Sequence, residues 1–301
     1  MTDRPDPFDA LRRPVVPLAP RPAFVASLRR RLQEELNMVP TDDQTAGGAG
    51  AAGAAGAAQL VMVHLRVGNA DRAMAFFGAL LDWQGERVEF EDHVSYYTTN
   101  TATTVRMLDD PGAPAVVPNY GVADVGAVVQ AIGAAGGQVT QGEPNPDGSG
   151  WARGTDDQGL PLLVFRPGRH YESAPPTREA TGEVGLVFLR EDAARAERFY
   201  GPVLGWQLSR SDPASHYFDA VPKVGIFDEA AAFGHEVEPD ATLYLSVDAL
   251  APALARVEEL GGQAGPGAQD MGPYFSARCT DDQGTEFGLI ATTLEGPPDK
   301  S

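Results

Sequence analysis

The chain has 301 residues, 43% of them apolar, and its 42 acidic side chains against 23 basic ones give a net charge of -19. That length supports two domains with cores of their own, and that charge repels polyanions, which excludes nucleic acid and anionic membrane surfaces as main partners. Cys279 is the sole cysteine, so an internal disulfide and a thiolate zinc cluster are excluded. The lack of a long apolar run or a basic start followed by an apolar segment predicts a cytoplasmic protein.

The first 40 residues carry seven arginines against five acids, and six prolines between Pro5 and Pro22 keep the start extended. The stretch AFVASLRRRLQEELN, residues 23 to 37, then places Phe24, Val25, Leu28, Leu32 and Leu36 on one face and predicts an amphipathic helix. Residues 41 to 58 are a Gly/Ala-rich linker with nothing to bury.

From residue 59 the chain repeats itself. FFGALLDW (76 to 83) matches FYGPVLGW (199 to 206), VADVGAVVQAIGAAGG (122 to 137) matches VDALAPALARVEELGG (247 to 262), and ARGTDDQG (152 to 159) matches ARCTDDQG (277 to 284). Three ordered matches at nearly constant offset argue for duplication. Each copy reads as two βαβββ units. In the first, strands are predicted at 60 to 67, around Val88, Tyr96 and Val105, over VVPNYGV, and around Val139, Ala152 and Leu163, with helices over NADRAMAFFGALL and from Asp124 to the paired glycines 136 and 137. The second copy predicts strands near Leu186, Leu208, Tyr217, Val224, Leu243, Arg278 and Phe287, and helices over 192 to 203 and 249 to 260.

The motifs DRAMAFFGALLDW and ARAERFYGPVLGW, the helix-plus-GG segments, and the closing TDDQGLPLLVF and TDDQGTEFGLI resemble the vicinal oxygen chelate superfamily, which includes glyoxalase I, bleomycin-resistance proteins and extradiol dioxygenases. The resemblance implies an α+β fold of tandem glyoxalase-like modules, each of two βαβββ units forming a curved mixed sheet around a cleft, preceded by the N-terminal helical arm. Expected boundaries are the arm 1 to 40, the linker 41 to 58, module one 59 to 168, a second linker 169 to 182, module two 183 to 292 and a tail 293 to 301.

In DDQG the aspartate and the glycine three residues later suit a turn, with Asp accepting a backbone hydrogen bond and Gly taking positive φ; the order does not fit a calcium loop. In metal-using members of the superfamily, a histidine on the first strand and a glutamate four residues after the turn glycine hold the ion. Here those positions are Met62 and Leu163 in the first copy, and Leu186 and Gly288 in the second. His64 lies two residues beyond Met62, with Phe188 equivalent to it in the second copy, and Glu286 lies two before Gly288. The expectation is no metal and no other cofactor.

Arg153 and Arg278 precede the two turns and would either clamp an anionic ligand or pair with Asp156 and Asp281. Trp83 and Trp206 read as structural. Met62, His64, Tyr97, Trp151, Arg153, Tyr217, Arg278 and Glu286 are the candidate ligand-binding residues. The function expected is binding of a small hydrophobic or aromatic molecule by a monomer whose two modules pair within the chain. The alternatives are an enzyme of the same superfamily with a displaced or absent metal site, acting as lyase, isomerase, dioxygenase or hydroxylase, and a regulatory or scaffold protein acting through its arm.

Overall fold

The computed structural model describes residues 57–110, 112, 115–168, 181–210, 215–218, 223–228, 239–265, 267–270 and 274–295. The arm helix expected at 23 to 37, most of the Gly/Ala linker and most of the segment between the modules fall outside the described residues.

The first module runs β1 (Gln59–Val67), α1 (Ala70–Leu81), β2 (Gly85–Glu89), β3 (Val94–Thr98), β4 (Thr104–Asp109), β5 (Val116–Gly121), α2 (Val125–Ala134), β6 (Gln138–Pro144), β7 (Gly150–Thr155) and β8 (Pro161–Phe165). The second runs β9 (Val184–Arg190), α3 (Ala193–Leu204), β10 (Leu208–Arg210), β11 (Ser215–Phe218), β12 (Lys223–Phe227), β13 (Asp240–Ser246), α4 (Leu250–Glu259), β14 (Gln263–Ala264), β15 (Gln269–Asp270), β16 (Phe275–Thr280) and β17 (Glu286–Ala291). The two short strands β14 and β15 were not expected from the sequence. They pair with β16, and two residues apiece are too few to carry a period-2 pattern.

Each βαβββ unit closes by pairing its first strand in parallel with its last, β1 with β4 and β9 with β12. The two units of a module then join through antiparallel first strands, β1 with β5 and β9 with β13. The result is two mixed sheets, ordered β2-β3-β4-β1-β5-β8-β7-β6 and β10-β11-β12-β9-β13-β17-β16-β14. Side chains alternate across a strand, so Val63, Leu65 and Val67 enter the core while Met62, His64 and Arg66 take the other, helix-free face.

The repeated motifs meet one another across the two modules. Asn69 and Asp192 cap α1 and α3 by accepting from Arg72 N and Arg195 N. Gln283 of the second DDQG turn donates to Asn69 O, and Gln158 of the first donates to Asp192 O and accepts from Asp192 N. Asp282 pairs with Arg72 at 2.6 Å and Asp157 with Arg195 at 3.0 Å; at these exposures each pair contributes at most about 1 kcal/mol. The indole N–H of Trp83 donates to Gly182 O just before β9, and that of Trp206 to Ala58 O just before β1. A Cβ on Gly137 would meet the Phe199 ring at 2.8 Å, and one on Gly262 would meet Phe76 at 3.1 Å. The second glycine of each GG pair is therefore where the other module's aromatic ring fits. One apolar core spans both modules, with Phe77 against Phe287 (5.1 Å between ring centroids) and Tyr120 against Trp206 (5.1 Å).

The first aspartate of each turn works inward. Asp156 Oδ1 accepts from Gln158 N and Leu160 N, and Asp281 Oδ1 from Gln283 N and Thr285 N; Gly159 and Gly284 take φ of 99° and 87°. These are turn residues, as expected.

Candidate functional site on the first sheet

The β-ladder places the expected metal positions in one row. Met62 lies opposite Thr104 on one side and Asn119 on the other, Asn119 opposite Leu163, and Leu163 opposite Arg153. The equivalent row of the second sheet is Leu186, Tyr244, Gly288 and Arg278. The geometry that would converge two ligands is thus present in both modules, but a thioether, an amide, two alkyl groups and a bare glycine are not a donor set for a catalytic divalent ion. In the second module the space is also taken: a Cβ on Gly288 would lie 2.2 Å from the Tyr244 ring. Among the described residues no group of three or more His, Cys, Asp or Glu side chains is placed to hold a metal.

The next row of the first sheet is Tyr97, Arg106, His64 and Val117. His64 is buried, and its pKa falls to about 3, first through desolvation and then through the charges of Arg106, Arg153 and Arg66. Its imidazole is neutral. Among the described residues the charges that act on it are positive, which opposes a cation beside it as well as protonation. Arg106 lies over the rings of Phe90 (5.1 Å) and Tyr97 (5.2 Å), donates to Ser95 Oγ at 3.1 Å and approaches His93 Nε2 at 3.0 Å. Phe90 and His93 stack at 4.5 Å at the tip of the β2–β3 hairpin. Burial raises the Tyr97 pKa against an opposing effect of Arg106, so the phenol keeps its proton.

Arg153 is exposed on the helix-free face. The alternative of an ion pair with Asp156 does not occur, because Asp156 turns to the opposite face and takes the Tyr200 hydroxyl at 3.0 Å. Among the described residues no acceptor reaches the Arg153 guanidinium. Trp151 is half-buried two residues before it, on the same face.

The second sheet fills its own face. Leu186, Tyr244 and Ile290 form a separate cluster with Phe188, Tyr217 and Tyr274 packed on it, and Phe188 meets Tyr217 at 5.9 Å and Tyr244 at 6.1 Å. Glu286 is exposed at the start of β17, on the same face as Gly288, and among the described residues it belongs to no group of three or more candidate ligands. A pocket of about 160 Å³ beside Gly185, Ser246, Asp248, Tyr274 and Ile290 lies at the far end of this sheet. It is below the ~300 Å³ that organic ligands usually need. Asp248 there is engaged by the Thr181 hydroxyl at 2.5 Å.

The structure therefore brings Met62, His64, Tyr97, Trp151 and Arg153 onto one face and places Tyr217, Arg278 and Glu286 on another sheet. Sequence reasoning missed Arg106 and Asn119. The signal for Arg106 was its place two residues after Thr104 in a strand of period 2, on the face opposite Val105 and Met107. Cys279 is buried with its pKa pushed up to about 11 by desolvation, consistent with a packing role.

No family model and no curated protein matches the chain. Solved structures do. The Mn(II)-bound glyoxalase from Novosphingobium aromaticivorans is 16% identical, with a TM-score of 0.55 over 79% of this chain and 82% of its own. The 2,3-dioxygenase LapB from Pseudomonas sp. KL28 is 11% identical, with a TM-score of 0.58 over 81% of this chain and 95% of its own. The 2,2',3-trihydroxybiphenyl 1,2-dioxygenase from Sphingomonas wittichii strain RW1 is 16% identical, with a TM-score of 0.51 over 81% of this chain and 94% of its own. With its paired βαβββ sheets and these structural neighbours, the chain has the fold of the vicinal oxygen chelate superfamily, to which glyoxalases and extradiol dioxygenases belong.

Proposed function

We propose that this protein binds a small aromatic or hydrophobic organic molecule on the helix-free face of the first sheet, without a catalytic metal, and acts by binding rather than by turnover. The observation that carries this reading is the asymmetry of the two modules. The second fills its ligand row with Tyr244 over Gly288, whereas the first keeps two half-buried aromatic rings on this face, Tyr97 on β3 and Trp151 on β7, the latter on the same strand as the exposed Arg153. Half-buried aromatic rings with a few polar groups between them are the usual lining of a site for planar molecules. The trihydroxybiphenyl dioxygenase of like fold is named for an aromatic compound. His64, held near pKa 3, is too weak a base for proton abstraction at neutral pH, which weighs against the enzymatic alternative.

The same reading makes the protein a monomer, since each module's helices are already covered by the other's. Native mass spectrometry and elemental analysis of the freshly purified chain should show about 32 kDa, no stoichiometric transition metal, and one aromatic molecule bound per chain when it is titrated with one- to three-ring aromatics. Tyr97→Ala should weaken that binding about tenfold. One metal per chain that disappears in His64→Ala, or binding lost in Tyr217→Ala and untouched in Tyr97→Ala, would overturn the proposal.

A further inference from the structure

The charges on this face narrow the ligand class. Strand pairing sets Arg106 directly beside His64, Arg66 lies two residues along β1 from it, and Arg153 ends the adjoining row. The acids of the same face stand at its margins. Glu86, opposite Tyr97, and Glu143, opposite Trp151, are exposed on the outermost strands, and Asp110 is held by Arg66 at 2.7 Å. In a chain of net charge -19 this face is an exception: the charges of Arg106, Arg153 and Arg66 all act on the buried neutral ring of His64.

We propose that the ligand is an organic anion, an aryl carboxylate or an acid of like shape, with its charged group seated on Arg153 and its apolar body lying across the face against Trp151 and Tyr97. This rests on the binding reading above. A planar guanidinium matches a carboxylate with two parallel N–H donors, and no protein acceptor among the described residues competes for that of Arg153. Tyr97, which keeps its proton, and the neutral His64 ring can add donors, whereas a cationic ligand would meet the like charge of Arg153.

The test uses the full chain and matched pairs, benzoate with benzamide, 2-naphthoate with 2-naphthamide and 9-anthroate with its carboxamide, titrated by calorimetry at fixed ionic strength. The acids should bind at least tenfold more tightly than the amides. Arg153→Gln should abolish that preference, and Arg256→Gln, on the exposed side of α4, should leave it intact; a thermal melt of each variant confirms folding. Equal affinity for acid and amide overturns the anion inference and leaves the binding reading standing. Failure of every acid and amide to bind overturns both. An acid preference that survives Arg153→Gln overturns the seat assigned here.

Discussion

Glu191→Gln is the substitution whose effect follows most directly from the seam between the modules. Glu191 ends the lead from β9 into α3 and is buried, and neither carboxylate oxygen meets a donor. The Asp156 carboxyl beside it is itself an acceptor, for two backbone N–H groups and the Tyr200 hydroxyl, so contact between the two carboxyls needs a proton. Burial first, and then the hydrogen bond with Asp156 and the charges of Asp156 and Asp157, raise the Glu191 pKa well above its ordinary 4.5. The folded state thus holds a proton that the unfolded chain releases near that value. The contribution of this group is complete below the unfolded pKa and is lost as pH rises toward the folded one. Between the unfolded and the folded value the slope is at most about 1.36 kcal/mol per pH unit. Glutamine keeps the shape and can donate to Asp156 without titrating. Relative to wild type, Glu191→Gln should therefore gain stability as pH rises above about 5, by at most about 3 to 5 °C in Tm per pH unit for a body of this size. Calorimetric melts of both proteins from pH 5 to 8 measure it. Parallel profiles would show that Glu191 is ionised when folded and would refute the reasoning.

Gly288→Ala should destabilise the protein by about 1–3 kcal/mol, because its methyl group must displace the Tyr244 ring, and Tyr244→Ala should cost about 3–5 kcal/mol while opening a cavity in the second sheet. Denaturant melts check both, and the double variant should lose less than the sum of the two singles; strict additivity would show that the ring does not sit over residue 288 in solution. Cys279, with its pKa pushed up to about 11, has little thiolate at pH 8, so iodoacetamide should modify the native chain at least a hundredfold more slowly than the denatured one; comparable rates by mass spectrometry would place the thiol outside the core.

The repeated motifs, the pattern of four βαβββ units and the residue types at the expected metal positions are legible in the chain alone. Repeated motifs and strand periods are local, and the last-strand positions, Leu163 and Gly288, are found by counting from a turn. The sequence also indicated the role of the first aspartate in each DDQG, which accepts hydrogen bonds from the backbone N–H groups two and four residues on. What these same motifs touch was decided by the tertiary structure. Arg72 and Asp282 lie 210 residues apart, and nothing in either stretch says that the second aspartate of one copy pairs with the helix of the other, or that the second glycine of GG makes room for a foreign phenylalanine. Glu191 sits in LREDAA, which reads as the polar start of a helix; only the closure of the two modules takes it out of water. The asymmetry of the two ligand faces is of the same kind. Met62, Leu163, Leu186 and Gly288 look equally inert in the chain, and the difference arises when Tyr244 folds over Gly288 while Arg106, Arg153 and Arg66 gather around His64. Burial and electrostatic potential are sums over neighbours that are distant in sequence, so they come into being only with the fold.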